Sequence, residues 1–174
     1  DALAFRRDER AYRNLLLVEQ PNGDFAVTMT KQFLYDAWHF AVLQELVESS
    51  DARIAGIAAK ALKEVTYHLR RSSEWVQRLG GGTDASRQRM LAAIPTLWRF
   101  TVELTAGSDN EVRLAECGIG ADPATVGATW LKQVTATFAS VELPLPKAAS
   151  HFYLDGRKGP VSYTHLTLPT ILLV

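Results

Sequence analysis

The sequence predicts an all-α fold, a helical bundle built on two long antiparallel helices. Three observations carry that expectation. Residues 23–49 and 51–79 both place apolar side chains at three- and four-residue steps, the helical period. The second stretch contains no proline and a single glycine, Gly56, so it can run unbroken for roughly 43 Å at 1.5 Å per residue. The connection between them, around Ser49-Ser50-Asp51, is too short for anything but a tight turn, which makes the two helices neighbours.

In chain order, residues 1–13 are polar and charged, with Leu3 and Phe5 able to dock, and read as a short helix or turn. They lead into the apolar run Leu15 to Val18, which stops at the turn signal Gln20-Pro21-Asn22-Gly23. Asp24 is placed to cap the first long helix. Its face carries Met29, Phe33, Asp36, Phe40, Leu43 and Val47. Tyr35, Trp38, Val42 and Leu46 make the flanks apolar, the signature of a central helix. Asp51 caps the second long helix and Gly80-Gly81-Gly82 ends it. Thr83 or Asp84 opens a third, expected to reach Thr105 but to kink or break at Ile94, before Pro95. Residues 111–116 form a short helical turn. Asp122-Pro123 pairs a cap with proline at the first helical position and opens a helix to about Val141. Trp130, Leu131, Val134, Phe138 and Val141 are its expected buried positions. Leu143-Pro144-Leu145-Pro146 is extended. Beyond Pro160 the residues alternate like a strand with nothing to pair with.

A chain of 174 residues with 47% hydrophobic content is long enough for one domain with a real core. Nineteen basic and nineteen acidic residues give zero formal charge, which argues against nucleic acid or an anionic membrane as partner. Cys117 is the single cysteine, so no internal disulfide forms and no CxxC metal pair exists. It is expected as a buried or half-buried thiol. No apolar run reaches the length of a membrane span and no signal peptide is evident, so the expected location is cytoplasmic. The first residue is Asp1 rather than Met, and the chain reads as a fragment or processed product.

The chemistry lies in polar groups set among apolar ones. Asp36 sits in the middle of the first long helix's apolar face. Glu64 and His68, one turn apart, project from one side of the second, beside Ile57, Ala61 and Trp75. An unpaired charge is costly to bury, so these three are expected to form a satisfied buried polar cluster. Di-iron bundles take a carboxylate from each of two helices and Glu-x-x-His from each of the other two. Here Tyr67, not a histidine, follows Glu64 at the third place, and His68 comes at the fourth. Asp36 and His39 have the three-residue spacing, but Asp36 points with the apolar stripe and His39 toward its flank. No metal and no catalytic residue is therefore expected. Arg157-Lys158, between Gly156 and Gly159, is a solvated basic turn or a contact for a phosphate or partner. His151 and His165 have no partner pattern. Trp38, Trp75, Trp98 and Trp130 are expected as core or subunit-interface aromatics.

Several runs together resemble a known family. They are Arg7-Asp8-Glu9-Arg10, the long block from Asn14 to Ala26, Asp36-Ala37-Trp38-His39, Lys63-Glu64 with Tyr67-His68-Leu69-Arg70, Leu97 to Thr101, and Gly156-Arg157-Lys158-Gly159. In this order they are similar to the non-catalytic C-type subunits of bacterial phenylacetyl-CoA epoxidases, the ring 1,2-epoxidases of phenylacetate breakdown. The resemblance implies a ferritin-like helical fold. It implies a structural subunit that supports a catalytic A-type subunit, whose di-iron centre epoxidises the aromatic ring with O2. Flavin, iron–sulfur and NADPH then belong to partner subunits, and this chain holds no cofactor and makes no contact with nucleic acid or membrane. In this reading the cluster Asp36, Glu64 and His68 is a vestigial metal site. The alternative is a self-sufficient di-iron ferritin-like oxidoreductase.

The resemblance covers residues 1–159, the expected helical domain. Family members begin about two helices earlier, and residues 160–174 read as an unrelated or disordered tail. With two staves of the bundle missing, the central pair is expected to expose Phe33, Phe40, Ile57 and Trp75 as one apolar face that drives association.

Overall fold

The computed structural model describes residues 6, 8, 11 and 14–147. Every regular element among them is helical: α1 (Leu16–Glu19), α2 (Phe25–Leu46), α3 (Ala52–Gly80), α4 (Asp84–Trp98), α5 (Val102–Thr105), α6 (Asp109–Glu116) and α7 (Pro123–Ala139). The two long helices are where their periodicity places them. Asp24 accepts the Val27 N–H at 2.9 Å and starts α2. Asp51 accepts from Arg53 and Ile54 and starts α3. Each cap satisfies backbone donors that would otherwise be orphaned, a contribution of about 1 kcal/mol. Helix α2 ends at Leu46, three residues before its expected end. The turn beyond it is held from elsewhere: Ser50 N–H donates to the Gly118 carbonyl at 2.8 Å, and Ser49 Oγ to that of Ile119.

The third expected helix divides. Helix α4 continues through Pro95 and ends at Trp98, so at Ile94, where a kink or break is expected, the chain does not break. Proline removes one hydrogen bond and crowds the carbonyl four residues back; here the helix continues one further turn. It then closes through short i to i+3 bonds, Phe100 N–H to Leu97 O and Thr101 N–H to Trp98 O. The rest of the expected helix is the separate turn α5. Helix α6 has a reciprocal cap, Ser108 with Glu111, and α7 begins on Asp122 with Pro123 at its first position.

Helix α2 occupies the centre and packs on α3, α4 and α7. Its inner side buries Phe33, Leu34, Ala37 and Ala41. Met90, Ile94 and Leu97 of α4 and Trp130, Val134 and Phe138 of α7 complete the core. Phe33 and Phe138 lie 5.9 Å apart between ring centroids, and Trp98 and Trp130 5.4 Å. The indole N–H of Trp130 donates to the Leu34 carbonyl at 3.0 Å, so its polar edge is satisfied inside the core. Here the structure corrects the expectation of an open face. Phe33 is fully buried, because α4 and α7 close over it. Phe40 and Trp75 are half-buried, and of the four residues only Ile57 stands in solvent, 69% exposed. Leu131, expected inside, faces out.

Two buried charged side chains organise the ends of the bundle. Glu103 of α5 accepts the backbone N–H groups of Leu16 and Leu17 and so anchors α1. Lys31 donates to Gln20 O at 2.6 Å and Asn22 Oδ1 at 2.7 Å, fixing the turn before α2. At the C-terminal end of α3, Arg87 donates to the carbonyls of Gly80, Val141 and Glu142. Leu143 packs there so closely that a side chain at Gly80 would meet its Cδ1 at 2.8 Å.

Candidate functional site

The polar groups noted in the sequence meet along the seam between α2 and α3. Asp36 is buried at the middle of α2. One oxygen accepts from Gln32 Nε2 at 2.6 Å and the other from Ser72 Oγ of α3 at 2.7 Å. Gln32 lies one turn before Asp36 and shares its face, while Ser72 lies one turn after His68 on α3. Burial raises the Asp36 pKa above the ordinary carboxylate value; the Ser72 and Gln32 hydrogen bonds and the charges of His68 and Arg71 act in the opposite sense. His39, half-buried on α2, is pushed below the usual imidazole range by burial first and by the charge of His68 second. The Tyr35 ring sits 5.5 Å from that of His39, and its hydroxyl is pushed up by burial and by the Asp36 carboxylate.

Of the three residues expected to form a buried cluster, the structure brings together two. Asp36 is inside and His68 is half-buried within its electrostatic reach. Glu64 is exposed, a correction to the expected triad. The reason is angular: 100° per residue carries Glu64 off the line of contact with α2 that Val65 and Leu69 occupy. The partners that satisfy Asp36 are Gln32 and Ser72, which the pattern of apolar stripes does not mark. A signal for them exists, since each is one turn from a polar residue that the pattern does mark. Glu103 and Lys31 are unmarked too, because their partners are backbone groups and, for Lys31, the turn residue Asn22, which no spacing rule identifies. Cys117 is exposed, not buried or half-buried as expected. Arg157 and Lys158 lie outside the described residues, as do residues 160–174.

This arrangement does not fit a di-iron group. Each Asp36 oxygen accepts one hydrogen bond and keeps a further lone pair, but a di-iron centre needs several carboxylates and histidines converging on it. The nearby carboxylate, Glu64, is on the outside. Among the described residues no group of three or more His, Cys, Asp or Glu side chains is placed to hold a metal ion. Nor is any described helix long and apolar enough to cross a membrane.

Fold and seam together define a class: an all-helical, ferritin-like bundle whose central carboxylate is tied to amide and hydroxyl donors. The chain belongs to the phenylacetic acid catabolic protein family, whose family model matches residues 1–169. It is similar to the C-type subunit of the 1,2-phenylacetyl-CoA epoxidase of Escherichia coli (strain K12), with 49% identity over 159 residues. The match covers 91% of this chain and 64% of that relative, so the chain spans a little under two thirds of the length of the curated relative it matches.

Proposed function

We propose that this chain acts as the structural C-type subunit of a phenylacetyl-CoA epoxidase, supporting the di-iron subunit that performs the ring chemistry. The observation that carries the reading is the state of Asp36. In a ferritin-like bundle that works on its own, a carboxylate at this place would be joined by others on facing helices; here its oxygens accept from Gln32 and Ser72, and Glu64 is exposed. The similarity to a C-type epoxidase subunit points the same way. In this reading the chain holds no metal, flavin, iron–sulfur cluster or NADPH of its own, and its place is in the cytoplasm with the other subunits.

Co-expression with a catalytic A-type subunit, followed by size exclusion and iron analysis of each partner, tests it. The expected result is co-elution, with iron in the catalytic partner and none in this chain. About two irons bound to this chain after reconstitution would instead favour a self-sufficient di-iron oxidoreductase.

A further inference from the structure

Asn22 and Gly23 lie in the turn between α1 and α2, and an asparagine followed by glycine has chemistry of its own. The main-chain nitrogen of the following residue can attack the asparagine side-chain carbon, and glycine hinders that approach least because it has no Cβ. Gly23 stands at φ +57°, and among the described residues its N–H has no hydrogen-bond partner. Both carbonyls of Asn22 are held by donors. Lys31 Nζ reaches Oδ1 at 2.7 Å, and Thr28 Oγ1 reaches the main-chain oxygen at 2.7 Å. Lys31 is a buried cation whose two partners, Asn22 Oδ1 and Gln20 O, are both neutral. Burial lowers its pKa, and no described carboxylate pairs with it.

We propose that Asn22 is a self-modification site: it deamidates through the Gly23 nitrogen, and the carboxylate that results pairs with Lys31 and locks the turn. The step balances with water alone. Gly23 N gives up its proton and forms a bond to Asn22 Cγ. The Cγ–Nδ2 bond breaks, and the amide nitrogen takes up a proton and leaves as ammonia, giving a cyclic imide that water opens. Lys31 acts twice. Its ammonium lies on Oδ1, the oxygen where negative charge builds as the nitrogen adds. It also makes the side-chain carbonyl of the imide the more electrophilic of the two, since Thr28 offers the other only a neutral hydroxyl. Water entering at Cγ breaks the new Cγ–N bond and leaves a normal aspartyl linkage; entry at the main-chain carbonyl would leave an isoaspartyl one. The normal product sets a carboxylate against an ammonium that otherwise has only dipoles, which favours the charged lysine. The reaction is internal to the turn and draws on no partner surface.

The test ages the full folded chain in mildly alkaline buffer and maps it by peptide mass spectrometry. Asn14 and Asn110, followed by Leu15 and Glu111, are internal controls. The expected result is an amide-to-acid mass gain at Asn22 roughly tenfold faster than at either control, with the normal linkage as the main product. In Asn22→Asp, an NMR titration should find the Lys31 ammonium holding its proton to higher pH than in wild type. The ageing arm needs no variant to fold. Asn22 intact in the aged folded chain would overturn the proposal. So would the isoaspartyl linkage as main product there, or an Asn22→Asp chain whose Lys31 titrates no higher than wild type.

Discussion

Helix α2 has two unlike sides, and the difference separates what seals the core from what must be satisfied by hydrogen bonds. Toward α4 and α7 it presents Phe33, Leu34, Ala37 and Ala41, sealed and apolar. Toward α3 it presents Asp36, with His39 beside it, a seam in which one buried carboxylate must be matched by Gln32 and Ser72. The first side gains free energy from every methylene removed from water. The second breaks even only while each donor stays in place.

The largest effect should come from breaking the apolar side. Phe33→Ala removes a fully buried ring that touches Phe138, and should cost about 3–5 kcal/mol. Urea or thermal unfolding checks it. A loss under about 1 kcal/mol would mean that α4 and α7 do not close over Phe33.

The seam should respond more weakly and more specifically. Ser72→Ala leaves one Asp36 oxygen without its donor in the interior, and should cost about 1–3 kcal/mol. It should also push the Asp36 pKa further up, since the Ser72 hydrogen bond opposes the effect of burial. A carbonyl-carbon NMR titration of Asp36 separates this from a general loss of packing.

Most of the apolar side is legible in the sequence. Its residues repeat at helical steps, and Asp24, Asp51 and Asp122 mark the starts of helices by their chemistry. Closure of Phe33 is not legible, because it depends on how α4 and α7 return to α2, which no local pattern states. Pro95 misleads for a related reason: a local rule predicts a break, and packing of Ile94 and Leu97 in the core outweighs it. The seam is half legible. Asp36 and His68 declare themselves as polar residues on apolar stripes, but exposure of Glu64 turns on a rotation that spacing alone leaves open.

Asp36→Asn should sharpen the contrast in the opposite direction. The folded pKa of Asp36 lies above its unfolded value near 3.8. Between those two values the native state binds a proton that the unfolded state has released, so stability falls as pH rises through that window. Above it, the full cost of holding the carboxylate inside is present. An amide can still accept from Ser72 and, with Gln32 turned over, donate to it. The variant should gain on the order of 1 kcal/mol at pH 7 and lose this pH dependence. Destabilisation by Asn would show that the charge itself, through His68 and Arg71, holds the seam.

The smallest effect belongs to His39, whose shift has the opposite sign. Its folded pKa lies below 6.5, because a half-buried imidazole beside His68 resists a second positive charge. Between the folded value and 6.5 the unfolded state binds more protons, so stability rises with pH across that window and is lost as acid protonates the ring. Asp36 and His39 therefore give slopes of opposite sign: Asp36 favours the fold at the acid end, His39 as pH approaches 6.5. His39→Gln removes the second contribution alone. Its stability profile should match wild type above about pH 7, where the imidazole is neutral in both states, and should fall less steeply than wild type below 6.5. The double variant Asp36→Asn/His39→Gln should be flatter still. Urea midpoints taken from pH 4 to 8 for the four proteins decide the matter, and an unchanged slope below 6.5 in His39→Gln would show that His39 is not the group behind it.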